Sequence, residues 1–263
     1  MIIIKIGGGA EINLKGIVED LTELKEKSII VHGANALRDK LLKDLGLQKK
    51  VLTSISGYSS VFTDEKALDV LIMAYAGLRN KRFVELCQQN GLNAIGLSGI
   101  DGKMIQGKRN PGIKIEEDGK KMIVRDLSGK PQSINRELIE LLLDHHYLPV
   151  LCVPILDELH TAINSENDDI INVLHKTIPA TEIIQLIEAP GFLKDDQDPD
   201  SLILRMTKNE LESWEAQVSG RIKRKLLALK KLFNNGVGKV IISDGRTEHP
   251  LRDALNGKGT IIQ

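Results

Sequence analysis

The sequence predicts an α/β protein: a three-layer α/β/α sandwich built on a mainly parallel central sheet. Three observations carry that expectation. Short apolar, β-branched runs alternate along the chain with longer stretches of helical spacing. Several of those runs are apolar throughout, as strands covered on both faces are. The runs end in small-residue turns, the ridge at which open parallel sheets hold their ligands.

The elements follow in order. Ile2, Ile3, Ile4 and Ile6 form the first strand, interrupted by Lys5 and closed by Gly7, Gly8 and Gly9. A lysine is costly to bury unless its ammonium reaches the strand end or an anion. Bare glycines let backbone N–H groups approach a ligand with no Cβ in the way. A cation beside such a turn suits phosphate, although a snorkelling lysine before an ordinary turn fits this stretch alone equally well. Residues 14–27 carry Ile17, Leu21 and Leu24 at helical spacing, and residues 28–31 read as a strand running into His32-Gly33-Ala34-Asn35. A short helix over 37–45 stops at Gly46, and a long one over 64–90, with Thr63 as N-cap, stops at Gly91. A strand over 93–97 leads into Ser98-Gly99-Ile100-Asp101-Gly102. Residues 103–133 change character to short alternating segments, with IKIEEDGKKMIVRD reading as a β-hairpin. A helix over 136–145, a buried strand over 148–155 and a helix-to-strand passage over 173–187 near Pro179 come next. The chain closes with a helix over 221–234, a strand over 238–243, a short helix and Thr260-Ile261-Ile262.

Composition removes several function classes. With 263 residues the chain can bury one large unit or two lobes. Lys plus Arg and Asp plus Glu both number 36, so no global field favours nucleic acid or an anionic membrane. Aromatics at 3% argue against base stacking. Cys87 and Cys152 lack metal-site spacing and read as buried small hydrophobes in a reducing compartment. No signal-peptide pattern or bilayer-length apolar run is present, so the expectation is a cytoplasmic protein with no membrane or nucleic-acid partner.

The turns KIGGG, VHGAN, LSGIDG and ISDGR converge on one ridge and make it rich in backbone donors, as a phosphate chain requires. Neither GxxxxGK[ST] nor GxGxxG with a following acidic residue occurs, so the phosphate contacts are spread over several turns.

The ordered pattern KIGGG, VHGAN, AINSENDD, SGRIKRKLLAL and VIISDGR resembles the amino acid kinase family. The resemblance is to its acetylglutamate kinases and, more closely, to the kinases of the amino-group carrier pathway. TDEKALDVLIMAYAGLRNKRFVEL, NAIGLSGIDG and DGRTEHPLRDALNGKGT extend it over the whole chain. It implies the amino acid kinase fold, with an N-terminal lobe (1–157) for acceptor binding and dimerisation and a C-terminal lobe (158–263) for ATP. It also implies transfer of the ATP γ-phosphoryl group to a carboxylate, with Mg2+ held mainly by triphosphate and water. Lys5 and Lys225 would neutralise the migrating charge from opposite sides, with Asp168 orienting both; Asp168 also reads as an N-cap for a helix from Ile170. Gly8, Gly33 and Gly7 would supply backbone donors, Asn164 would bond the acceptor, and Gly191 and Lys223 would lie near the nucleotide.

Three positions depart from the family pattern: Ala34-Asn35 where HGGG is common, Val61 where an arginine usually clamps an acceptor carboxylate, and Ile222 where methionine is common. Valine cannot replace a guanidinium–carboxylate fork. The resemblance therefore implies an acceptor pocket of non-standard shape at Gly33, Ala34, Asn35, Val61 and Asn164. Lys103, Lys108, Arg109, Lys114, Lys120, Lys121, Arg125 and Lys130 face only Glu116, Glu117, Asp118 and Asp126 within their segment. Residues 221–231 add six basic residues and no acid. Such a rim suits a small acidic carrier protein presenting 2-aminoadipate or glutamate. The competing readings are an acetylglutamate kinase acting on the free acid and a non-catalytic regulatory homologue.

Overall fold

A computed structural model describes residues 1–55, 59–117, 120–195, 198–217 and 220–263, leaving out the side chains at 59–60, 117, 199, 215–217 and 220–225. In chain order the first half comprises β1 (Ile2–Ile6), α1 (Leu14–Glu23), β2 (Ser28–His32), α2 (Asn35–Asp44), β3 (Val51–Thr53), β4 (Ser59–Val61), α3 (Glu65–Ile72), a π-helical turn (Met73–Arg79), α4 (Asn80–Gln89) and β5 (Ala94–Ser98). Next come β6 (Ile105–Arg109), β7 (Ile113–Glu117), β8 (Lys120–Val124), β9 (Gly129–Ile134), α5 (Arg136–Asp144), β10 (Leu148–Cys152), β11 (Ile155–Leu156) and β12 (Ala162–Ile163). The remainder is α6 (Asn167–Thr177), β13 (Glu182–Ile187), β14 (Arg205–Met206), α7 (Lys208–Gln217), α8 (Gly220–Asn234), β15 (Val240–Asp244), α9 (Pro250–Leu255) and β16 (Thr260–Ile262).

Eight strands form the central sheet in the order β14-β16-β15-β13-β1-β2-β10-β5. Every neighbouring pair is parallel except β15–β16. β1 lies at the centre, and alternation along it divides the core. Ile3 joins the cluster under α6 and α8, while Ile2, Ile4 and Ile6 join the cluster under α1, α4 and α9. Lys5, in phase with Ile3, therefore points to the α6 side. The four isoleucines of β1 are at most 2% exposed. At about 1.5–3 kcal/mol each, their burial outweighs the several kcal/mol that one buried ammonium costs. The strand tolerates its lysine.

A smaller sheet, β12-β11-β6-β9, and the hairpins β3–β4 and β7–β8 lie beyond the central sheet. The IKIEEDGKKMIVRD segment is the β7–β8 hairpin, with Ile113 opposite Val124 and Glu117 opposite Lys120.

Several elements differ from the sequence expectation. The helix expected over 14–27 ends at Glu23, because Leu24 turns extended and packs against the core. α2 begins at Asn35, before the expected residue 37, since Ala36 N–H finds the Gly8 carbonyl at 2.9 Å. The helix expected over 64–90 is capped by Asp64, which accepts from Ala67 N–H; the Thr63 hydroxyl donates to Val61 O instead. That helix is also split by the π turn. The run 148–155 divides between two sheets at the cis Val153–Pro154 bond, where proline has no N–H for a ladder.

Candidate active site

The expected site residues Lys5, Gly7, Gly8 and Gly33 gather at the ridge where β1, β2 and β13 end. Lys5, 9% exposed, donates through Nζ to Asp168 Oδ1. Asp168 lies in the first turn of α6 and not at its cap, which is Glu166, so the expected N-cap role does not hold. The carboxylate still gains from the unpaired N–H groups of that turn. Next to it, Asn167 Nδ2 donates to His32 O at 3.1 Å, tying the start of α6 to the end of β2.

The two glycine turns meet face to face. A Cβ on Gly8 would stand 2.6 Å from Asn35 N and 2.8 Å from Ala34 N, and one on Gly33 would stand 2.8 Å from Gly8 N. Only glycine permits this approach. Gly7 and Gly33 N–H groups are already bonded, to Leu186 O and Ile6 O at 2.8 Å each. They shape the turns without offering donors. The Gly8 and Asn35 N–H groups donate to nothing among the described residues. A cradle that a methyl group would fill, beside the Lys5 ammonium, fits a phosphate oxygen.

Sequence reasoning missed the groups that support these turns from the α4 side. His32 is fully buried, with Asn80 Nδ2 donating to its Nε2 at 3.1 Å and its Nδ1 facing Gly33 O at 3.3 Å. Burial, reinforced by the Arg79 charge, pushes its pKa down to about 3 despite the opposing Gly33 bond. The ring is neutral at any working pH. Arg79 Nη2 lies 3.5 Å from Gly7 O, and its buried Nε has no partner among the described residues. Burial lowers its pKa, with Glu188 pulling the other way. Glu188 stands over the turn: it accepts Glu11 N–H at 2.6 Å, and a Cβ on Gly9 would fall 1.9 Å from its carboxylate carbon. No local pattern marks Arg79 or Glu188, because their partners lie far along the chain.

The residues expected on the acceptor side fall in two groups. Ala34 is buried, and Asn35 is exposed with its Oδ1 accepting from the Tyr75 hydroxyl. Burial pushes the Tyr75 phenol up to about 12, so it stays a donor. Half-buried Val61 ends β4, and Asn164 Nδ2 donates to Thr63 Oγ1 at 3.2 Å, which brings both to one place. Buried Asp126 fixes that corner, accepting from Thr63 N at 3.3 Å and from Ser128 Oγ at 2.6 Å.

Gly191 packs against β16, where a Cβ would meet Thr260 Oγ1 at 2.7 Å. Lys223 and Lys225 lie in the first half of α8, and their side chains fall outside the described residues. Among the described residues no group of three or more His, Cys, Asp or Glu side chains is placed to hold a metal ion.

A bare N–H cradle and a carboxylate-paired lysine, set at the carboxyl ridge of a parallel sheet, define an enzyme of the phosphoryl-transfer class. The model of the amino acid kinase family matches residues 1–244, and the chain belongs to that family. It is 39% identical over 269 aligned positions to the [LysW]-aminoadipate kinase of Thermus thermophilus, covering 100% of both chains. It is 32% identical to the [LysW]-aminoadipate/[LysW]-glutamate kinase of Saccharolobus solfataricus, covering 100% of this chain and 99% of that one. Among solved structures, N-acetylglutamate synthase of Neisseria gonorrhoeae superposes with a TM-score of 0.79 at 18% identity. That match covers 99% of this chain and 58% of the other, and it shows the fold alone.

Proposed function

We propose that the protein uses ATP to phosphorylate the side-chain carboxylate of 2-aminoadipate or glutamate, held through its amino group on a small acidic carrier protein. The observation that carries this reading is the full-length similarity to kinases named for such carrier-linked acids, in a chain that keeps the Lys5–Asp168 contact. An acceptor carboxylate oxygen attacks the γ-phosphorus, the bond to the ADP oxygen breaks, and an acyl phosphate forms. Charge spreads over the phosphoryl oxygens in that transition state, so fixed cations and N–H donors supply the stabilisation. Lys5 and the Gly8 and Asn35 N–H groups act from one side. Lys225 acts from the other, and Asp168 aims the lysines. Mg2+ would be held mainly by the triphosphate and water, and would supply positive charge against the phosphoryl oxygens.

Residues 1–157 then serve as the acceptor and dimerisation lobe and 158–263 as the ATP lobe, with Gly191 and Lys223 near the nucleotide. A homodimer working in the cytoplasm completes the reading. Among the described residues no helix is long and apolar enough to cross a membrane.

The carrier explains the missing guanidinium at Val61. A tethered acceptor arrives already oriented by protein docking, so its pocket needs less binding energy of its own. The docking face would be the basic segment. Lys103, Lys108, Lys114, Lys120, Lys121, Arg125 and Lys130 are exposed, whereas Arg109 is spent on Asp157 at 3.3 Å. Lys114 and Lys121 flank exposed Ile55, Met122 and Ile123 around a shallow cleft of about 290 Å³.

The deciding assay traps acyl phosphate with hydroxylamine, comparing carrier-linked acid with free N-acetylglutamate as salt rises. The reading expects turnover of the carrier-linked acid, falling steeply with salt. Equal, salt-insensitive turnover of the free acid would make this an acetylglutamate-type kinase. Nucleotide binding without hydroxamate would make it a non-catalytic regulator.

A further inference from the structure

Helices α6 and α8 carry Asp168 and Lys225, so their relative sliding sets how far apart those two side chains begin. Ile170, Ile171 and Leu174 of α6 share a core cluster with Leu226, Leu229 and Leu232 of α8. Apolar contact of this kind is non-directional and does not fix axial register by itself. Beside the cluster the helices part around a cleft of about 350 Å³, whose lining includes Lys130, Asp169, Lys176 and Lys231. The Lys231–Asp169 pair across it is 3.4 Å long with both side chains partly exposed, too weak a tie to hold the helices alone.

Asn172 bridges the two helices at the edge of this cleft. It is 6% exposed, and its Nδ2 donates to Asp168 O at 2.9 Å within α6 and to Ala228 O at 3.1 Å in α8. One of those carbonyls belongs to Asp168 itself, and the other lies one turn beyond Lys225. Asparagine is a poor residue for a helix interior. Here its buried Oδ1 has no partner among the described residues, so the side chain is not placed for local stability. What it gains is a directional link between two helices at the turns that bear the site.

We propose that Asn172 is a positioning residue for phosphoryl transfer: its two-carbonyl bridge sets the register of α8 against α6 and so aims Lys225 toward Asp168 and Lys5. This rests on the reading of Lys225 given above. Misplacement by about 1 Å is enough to cost two orders of magnitude in rate.

The test replaces the amide by an apolar side chain of similar size, Asn172→Leu. Turnover number should fall about 10- to 100-fold, with the KM for ATP within about twofold of its original value and no loss of thermal midpoint. Asn172→Ser, too short to reach Ala228, should fall in the same direction and covers the case in which the leucine variant does not fold. In a Lys225→Ala background, measured by a sensitive radiometric assay, Asn172→Leu should cause no further loss, because the group it aims is gone. A folded Asn172 variant with unchanged turnover overturns the inference. So does a full multiplicative loss on top of Lys225→Ala, the mark of a general structural role. Lys225→Ala with full turnover, read without touching Asn172, removes the underlying assignment instead.

Discussion

The ridge around Lys5 and the hairpin face around Lys121 use the same kinds of residue to opposite ends. At the ridge the cations among the described side chains are held: Lys5 by Asp168, and Arg79 by burial under the Gly7 turn. The nearby N–H groups of Gly7 and Gly33 are already committed to carbonyls. On the hairpin, Lys114, Lys120 and Lys121 stand exposed beside apolar Met122 and Ile123. Fixed charge in a partly desolvated place stabilises a transition state, because it needs no reorganisation when the reaction occurs. Solvated charge is screened and steers diffusing partners instead. On the proposed reading, the chain separates chemistry from recognition by burial more than by residue type.

The largest expected effect tests the ridge. Asp168→Asn keeps the shape but removes the charge opposite a 9%-exposed lysine. Turnover should fall by about two to three orders of magnitude, with a smaller change in nucleotide affinity, as single-turnover kinetics and equilibrium binding would separate. A loss below about threefold would mean that the ridge is structural and the comparison misdrawn. Gly8→Ala comes next. Its methyl group would meet Asn35 N at 2.6 Å and Ala34 N at 2.8 Å, both backbone atoms that cannot swing aside. The two turns must separate, and we expect at least a tenfold loss of turnover with about 1–3 kcal/mol of destabilisation in urea titration. The same substitution at Gly46, where a Cβ has open space, strains only the backbone at φ +68° and should leave turnover intact.

A third experiment separates the regions by pH. Folded His32 stays neutral down to about 3, whereas an unfolded histidine takes up a proton near pH 6.5. Below that pH the unfolded chain binds more protons, so stability falls as pH drops, by up to about 1.4 kcal/mol per unit for this one group. His175, whose pKa burial also lowers, adds in the same direction. Urea midpoints between pH 6.5 and 5 should show this slope, and His32→Gln should flatten it to the His175 part. A slope unchanged by His32→Gln would contradict the buried neutral ring.

Much of this architecture was legible in the sequence, for physical reasons. Unbroken apolar runs marked the parallel strands, since strands covered on both faces need no polar alternation. Lys5 within such a run left two outcomes open, a snorkelling side chain or an anionic partner, and Asp168 is that partner. The parts that stayed hidden depend on distant or register-level facts. The π turn at Met73–Arg79 leaves the apolar spacing nearly intact while rotating Arg79 and Asn80 toward the turns. Glu188 reaches Glu11 from 177 residues away, and no local pattern encodes that meeting. Asn172 carries no mark in the sequence, because its partner Ala228 lies 56 residues on. Arg109, one of the basic residues of the hairpin segment, lies 3.3 Å from buried Asp157, a pairing no local pattern announces.

The smallest effect on the fold is expected at the hairpin, and it sharpens the contrast most directly. Lys114→Ala with Lys121→Ala removes two exposed charges that make no ion pair with any described residue. Unfolding free energy should shift by no more than about 0.5 kcal/mol, as for most surface substitutions. Turnover number should also hold, because nothing at the ridge changes. The effect should appear as a rise in KM for the carrier-linked acceptor of about tenfold at low ionic strength. That rise should shrink as salt is added, since screening already suppresses in the parent what the mutations remove. Free acid, if turned over at all, should not distinguish parent from variant. A salt-independent rise, or an equal one for the free acid, would place these lysines inside the acceptor pocket and dissolve the division between a buried catalytic ridge and a solvated docking face.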